Sequence, residues 1–333
     1  MTALTVVVRT FNAANIIDRL LTCLERLVVP PGWPIDLLFV DNHSTDATVA
    51  HIQARQGQLP LPSRVVVEHR PGAAAARIRG IVEAQGEFIA FLDEDNLPRP
   101  DWLMTIRQAI AAFPAAAVLS GRILPVTECP IPAYVKPYLA FYALVDRGDR
   151  PFLYDDTPQK ILPPGAGLIV QRAAVMQVLR TEVMRLAGPV ARGFRLKGED
   201  VELLLKLRAQ GHQIAYCPDI VIDHALATQR FTPPYLESFL KAVARPRHYH
   251  RMLRYPPWLW LPATLGYGAI DLKKWVGHLV RYDNTVAWRL RHAFLLYLFI
   301  SPLYTLRILR AVPISQGMVN AAPATPQMES SCR

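Results

Sequence analysis

Cysteines are few in this chain, and none is placed to work with another. Cys23, Cys129, Cys217 and Cys332 are scattered along 333 residues with no C-x-x-C pair. A disulfide framework is not expected, and reduced, intracellular thiols are. The N-terminus, Met-Thr-Ala-Leu-Thr-Val-Val-Val-Arg, lacks a basic stretch ahead of its short apolar run, so it reads as a first strand rather than a signal peptide. The body of the protein is accordingly expected in the cytoplasm. No Ser/Gly or charged low-complexity tract interrupts the chain before its C-terminus, and 51% of its residues are apolar. These features predict an ordered globular protein, long enough for one large α/β domain with an appendage or for two domains. Also missing is a span of about 20 apolar residues, the length that crosses a bilayer. The nearly uncharged run Ala293–Leu306 is shorter and is broken by Pro302.

Acidic residues are almost absent from one segment. Residues 241–310 hold twelve Lys/Arg against two acids, Asp271 and Asp283, so the net charge of +10 belongs to that segment and the rest of the chain is balanced. The basic residues are interleaved with Trp258, Trp260, Trp275, Trp288 and aliphatic runs. A nucleic-acid binder spreads its charge over a polar face, so no nucleic acid is expected; this mixture suits an anionic membrane surface. Residues 241–312 thus read as a basic amphipathic helical region, peripheral on the cytoplasmic face of the inner (plasma) membrane. The alternative is a pair of amphipathic helices that packs on the preceding domain. From Pro313 the Pro/Ala/Ser/Gln-rich tail, 313–333, reads as disordered.

What is present is organised around Gly86–Trp102. Phe88–Leu92 is a continuous apolar run, as in a strand buried on both faces of an α/β sheet, and it ends in Asp93-Glu94-Asp95-Asn96. Ligands of open α/β sheets bind beyond the carboxyl ends of the strands, where Asp93 and Asp95 can both face the crevice. Hard oxygen ligands favour Mn2+ or Mg2+, arriving with a substrate phosphate. The alternative is an acidic turn that only ends a strand.

Upstream, Leu4–Val8 predicts a strand, followed by a helical repeat from Ile16 to Leu27. Ile35–Val40 predicts a second strand, ending in Asp41-Asn42-His43-Ser44-Thr45-Asp46 ahead of a helix over 47–54 capped by Ser44 or Thr45. Arg64–Glu68 predicts a third strand, and Pro71-Gly72 leads into an Ala-rich helix with Arg77 and Arg79. This alternation predicts a doubly wound, mostly parallel central sheet. Downstream, a strand is expected over 115–119 and a Pro-rich loop over 125–164. The small residues Gly165, Ala166 and Gly167 let backbone approach a ligand closely, without the context of a dinucleotide fingerprint. Lys197-Gly198-Glu199-Asp200 opens a helix whose N-terminus favours carboxylates. Tyr216–Asp223 predicts a last strand, followed by His224.

Thr10-Phe11-Asn12, Val40–Asp46, Gly72-(x)₄-Arg77 and Phe91–Asn96, in that order, resemble the signature of family-2 glycosyltransferases, which have the GT-A fold. The resemblance runs on through Leu162–Val170 and Gly198–Leu203, covering roughly residues 3–240. Within the family the chain is similar to transferases of cyanobacterial hormogonium polysaccharide synthesis; it departs from many relatives in having Arg9 where they have proline. The resemblance implies a GT-A catalytic domain over 1–240, with a nucleotide-sugar half (1–120) and an acceptor half (121–240). It also implies a metal-dependent inverting transfer from a nucleotide diphosphate sugar, with UDP as the expected nucleotide, to a saccharide or lipid-linked saccharide. By the same resemblance Thr10, Phe11, Asn12 and Glu94 line the nucleotide sugar, Gly165, Ala166 and Gly167 let backbone approach the donor sugar, the loop over 125–164 lies on the acceptor side, Asp41 contacts the base, Asp93 lies near ribose and metal, and Asp95 ligates the metal. Arg77 is then either a diphosphate contact or a surface charge, Asp41 a base contact or a turn cap, and His224 a metal ligand or a satisfied polar residue. The general base falls on Asp200, with Glu199 as the alternative; an inverting displacement needs such a carboxylate to take the acceptor proton.

Two other functions compete. A nucleotidyltransferase shares an α/β sheet and paired carboxylates, but Thr10–Asn15 has no Gly-rich, Lys-bearing triphosphate loop. A non-catalytic membrane scaffold would explain 241–312, yet leaves Asp41, Asp93, Asp95 and Asp200 without a reason.

Overall fold

The computed structural model describes residues 3–154, 162–188 and 196–314. Strands β1 (Leu4–Thr10), β2 (Ile35–Asp41), β3 (Ser63–Val67) and β4 (Phe88–Asp93) alternate with helices α1 (Ile17–Glu25), α2 (Thr48–Arg55) and α3 (Ala73–Glu83). Their order in the sheet is β3-β2-β1-β4, with every neighbour parallel. β1, β2 and most of β4 are buried along their whole length, as their unbroken apolar runs require.

Beyond β4 the sheet becomes mixed. β5 (Asn96–Pro98), α4 (Trp102–Ala112), β6 (Ala116–Thr127), β7 (Phe152–Leu153), β8 (Ile169–Gln171), α5 (Arg172–Thr181), α6 (Glu199–Ala209) and β9 (Gln213–Leu226) follow in sequence. The sheet continues β4-β8-β6-β9-β5. β8 is antiparallel to β4 and β6, β9 is parallel to β6, and β5 and β7 are antiparallel to β9. The expected parallel arrangement therefore holds for the first four strands and for β6 with β9, while β5, β7 and β8 join antiparallel. An apolar run reports burial but not the direction of a partner brought in from far along the chain.

Two strands are longer than expected. β6 runs on to Thr127, taking in Pro125 and the start of the segment read as loop, across an irregularity at Ser120/Arg122. β9 runs past Asp223 to Leu226, so His224 lies within the strand, opposite Asn96 of β5. Helix α2 is capped by neither Ser44 nor Thr45: Asp46 accepts from the Thr48 backbone N–H at 3.0 Å.

Helix α7 (Pro233–Ala244) crosses position 240 without a break and is followed by α8 (Arg247–Met252), α9 (Trp260–Leu279), α10 (Val286–Phe299) and α11 (Ser301–Arg310). A second core gathers Tyr138, Tyr142, Phe231, Leu236, Phe239 and Leu290, tying α7 and α10 to the body. A third, smaller one joins Leu186, Tyr249 and Ile308 across α8 and α11. Among the described residues no single helix is long and apolar enough to cross a membrane; α10 and α11, bent by 54° at their junction, reach that length and composition only as a pair. The tail expected to be disordered lies, from residue 315 on, outside the described residues.

Candidate active site

The carboxyl ends of β1, β2 and β4 carry Thr10, Asp41 and Asp93; by register Thr10 lies beside Asp41 and Arg9 beside Asp93. Asp41 is buried, and both its oxygens are engaged: Ser44 donates through N–H (2.8 Å) and Oγ (2.6 Å), and Thr10 Oγ1 donates at 3.2 Å. It therefore does cap the turn after β2. Asn12, at φ 49°, accepts from the Thr45 N–H at 2.8 Å and so joins the first loop to the second. Phe11 is exposed beside them.

A second group of charges forms under α3 and the N-terminus of α6. Arg9, buried at the end of β1, binds Asp93, donates to the Ala73 carbonyl at 3.0 Å and lies 3.8 Å from Glu199. Burial opposes its charge, yet Asp93 and Glu199 outweigh burial and hold its pKa above the ordinary value. Arg77 is 4% exposed, which overturns the surface-charge reading. It stands over the Phe91 ring at 5.6 Å and 3.6 Å from Glu199. Burial, then the neighbouring Arg9, depress its pKa. Its Nε and Nη1 have no hydrogen-bond acceptor among the described residues, nor does Nε of Arg9. Buried donors without acceptors are costly, so a polar ligand is expected to meet them.

Glu199 is buried between the two arginines, whereas Asp200, next to it on α6, is half-exposed. Asp200 accepts from the Gly165 N–H at 2.6 Å and from the Val201 N–H at 2.8 Å. Gly165 is required by close approach: a Cβ there would run into the Arg77 guanidinium and sit 2.8 Å from Asp200 Cβ. Gly167 donates to the Phe91 carbonyl at 3.0 Å and so anchors the loop, with the buried Ala166, on the end of β4.

The third group is built on β5 and β9. Asp95 accepts from Arg230 Nη2 at 2.7 Å and from Asn96 Nδ2 at 3.0 Å, and its Oδ2 lies 3.3 Å from His224 Nε2. Burial opposes its ionisation, but His224 and Arg230 prevail and hold its pKa well below the carboxylate range. Glu94 behaves oppositely: burial first, then Asp95 and Asp93, push its pKa up and favour its protonated form. Among the described residues no three carboxylate, His or Cys side chains are grouped to hold a metal. Asp95 and His224 are nevertheless of the ligand types a divalent ion takes, and the Arg230 guanidinium bridges them, Nη2 to Asp95 at 2.7 Å and Nη1 to His224 Nε2 at 3.3 Å, where a cation would sit.

The structure thus gathers Asp93, Glu199, Asp200, Arg77 and Gly165 through Arg9 and Arg77, and Asp95 with His224 through Arg230. Asp41 and Asn12 belong to a separate, hydrogen-bonded loop pair. Three residues gained no role from the sequence. Arg9 stood out only as a departure from the family pattern. Lys197, whose pKa is lowered by burial although Glu199 and Asp200 oppose the shift, lies 4.4 Å from the centre of the Phe239 ring. His250 of α8 donates from Nε2 to the Gly198 carbonyl at 3.0 Å, and a Cβ on Gly198 (φ 106°) would run into its ring. Its signal was hidden in a segment read only for charge.

Residues 5–166 match the family model described as Glycosyl transferase family 2. The pre-mycofactocin glycosyltransferase of Mycobacterium tuberculosis (strain ATCC 25618 / H37Rv) is 30% identical over 230 residues, 68% of this chain and 43% of that protein. The succinoglycan biosynthesis protein ExoO of Rhizobium meliloti (strain 1021) is 34% identical over 154 residues, 41% of this chain and 43% of that protein. The chain therefore spans less than half the length of these curated relatives. Among solved structures, the mannosyltransferase PcManGT from Pyrobaculum calidifontis, in complex with GDP-Man and Mn2+, aligns with a TM-score of 0.56 at 18% identity, covering 91% of this chain and 86% of that one. At that identity the likeness is one of fold.

Proposed function

The chain belongs to glycosyl transferase family 2 and has the GT-A fold, and from that premise we propose that it transfers a sugar, with inversion, from a nucleoside diphosphate donor to a saccharide or lipid-linked saccharide of glycan assembly. The nucleotide is UDP in this reading. The observation that carries it is the contrast at the start of α6: Glu199 is spent on Arg9 and Arg77, while the half-exposed Asp200 is aimed by the Gly165 and Val201 N–H groups. Asp200 takes the proton of the acceptor hydroxyl as its oxygen attacks the anomeric carbon and the bond to the diphosphate breaks. The free N–H groups of Arg77 and Arg9 meet the diphosphate charge. Asp95 and His224 would hold Mn2+ or Mg2+, which supplies further stabilisation of the leaving diphosphate when bound; the Mn2+ reported with PcManGT supports this reading. Arg230 would have to release Asp95 for this. The basic segment 241–312 holds the enzyme peripherally on an anionic, cytoplasmic membrane face, consistent with the free thiols of Cys23, Cys129 and Cys217.

The test is nucleotide release from a panel of nucleotide sugars by the purified full chain, with Mn2+ and with chelator. Turnover of a UDP-sugar that chelator abolishes is expected. If no nucleotide sugar binds or turns over, the reading fails.

A further inference from the structure

Helix α9 is built inside out. A helix on a globular body turns its apolar stripe to the core and its polar residues to water. In α9 the most buried residues are Asp271 and His278, while Leu261, Leu265, Leu272, Val276 and Leu279 are exposed. At 100° per residue those five fall within about 60° of arc along about 27 Å of the helix, a single stripe. Trp258, 75% exposed, stands just before it. A contiguous apolar stripe of this length on a surface marks an interaction site.

The rotation of α9 is fixed from its inner side by polar contacts. Asp271 pairs with Arg251 of α8, which also lies 4.4 Å from the centre of the Tyr267 ring. His248 of α8 bonds Thr264 of α9 at 2.9 Å and Thr305 of α11 at 2.8 Å. Turning the leucines inward would break the contacts of Asp271, Tyr267 and Thr264 with α8 and strand a buried aspartate.

What covers the stripe is decided by charge. Lys273, Lys274 and Arg281 are exposed on or beside α9. The two acids of the segment are already engaged, Asp271 with Arg251 and Asp283 with the Thr285 backbone N–H. A second copy would bring the same positive excess to the contact. An anionic bilayer surface supplies both the opposite charge and an apolar layer for the leucines.

We propose that α9 lies in the plane of an anionic lipid bilayer, with its Leu261–Leu279 stripe sunk at the headgroup–acyl boundary. The docking stands on these residues alone; what it serves rests on the function proposed above. Through α8, whose His250 bonds Gly198 two residues before Asp200, the docked helix holds the candidate base at a set height over the leaflet. That arrangement favours an acceptor anchored in the same membrane.

The test floats the full chain with phosphatidylglycerol-rich and with pure phosphatidylcholine vesicles. Wild-type protein is expected to float with the first and much less with the second. Leu265→Glu and Val276→Glu change only exposed side chains, and each should weaken partitioning about tenfold. Val28→Glu, an equally exposed change on the catalytic body, should leave it unaltered. Nucleotide-sugar turnover measured without vesicles should be the same in all four proteins, so a failed activity assay leaves the docking result readable. The proposal is overturned if wild type ignores anionic vesicles, if the two Glu variants float like wild type, or if they instead convert a wild-type dimer into a monomer, which would make a second copy the occupant.

Discussion

Arg77 is 4% exposed and Leu265 is 66% exposed, the reverse of how these side chains sit in most proteins. Among the described residues, Arg77 has buried N–H groups that lack acceptors, and Leu265 belongs to a helix whose apolar side lacks a cover. The same rule explains both. A buried polar group without a partner anticipates a polar ligand, and an exposed apolar stripe anticipates an apolar medium. The catalytic body and α9 are thus each incomplete, in opposite senses, and α8 joins them.

The comparison breaks most visibly at Asp200. Asp200→Asn should lower kcat by about 10²- to 10⁴-fold, the usual contribution of a general base, while calorimetry finds nucleotide-sugar affinity nearly unchanged. Loss of binding with no separate effect on kcat would move Asp200 out of the proton-transfer role. Next in size is the join between α8 and α9. Asp271→Ala leaves Arg251 partly buried without its partner and should cost about 3 kcal/mol in urea unfolding; a chain as stable as wild type would mean that α9 is not held by that pair.

His250 provides a pH test of the same join. Burial first, then Arg247, depress its pKa to about 3. The unfolded imidazole titrates near 6.5, so above that pH both states are neutral and nothing is lost. Below it the unfolded chain takes up a proton that the folded chain refuses, and stability falls as pH falls, by about 2 kcal/mol between pH 6.5 and 5. Unfolding midpoints should show a shallower loss in His250→Gln than in wild type; equal losses would deny that His250 is buried against Gly198. Smallest is Arg77→Met, which removes charge-assisted donors and should weaken UDP binding about tenfold. An unchanged affinity would leave the orphaned N–H groups without the ligand assigned to them.

Much of the catalytic half was legible along the chain, because consecutive strands and helices pack beside one another and apolar runs report burial directly. Phe88–Leu92 ending in Asp93, the loop at Asp41 and the α6 start at Glu199-Asp200 all lie where their local patterns imply. Which partners the carboxylates take was not legible. Asp95 is bound by a residue 135 positions away, and Glu199 by arginines from β1 and α3. The C-terminal segment divides along the same line. Its charge and apolar content are properties of composition, and so are visible at once, whereas the packing of α10 against the body and the exposure of α9 depend on which way each helix is rotated. The sequence by itself determined the strand–helix alternation, the acids at the strand ends and the placement of the positive charge, since each follows from nearest-neighbour chemistry. Only the tertiary structure decided the antiparallel half of the sheet, the pairing of Arg9, Arg77 and Arg230 with their carboxylates, and the outward face of α9, because these depend on contacts between residues far apart in the chain.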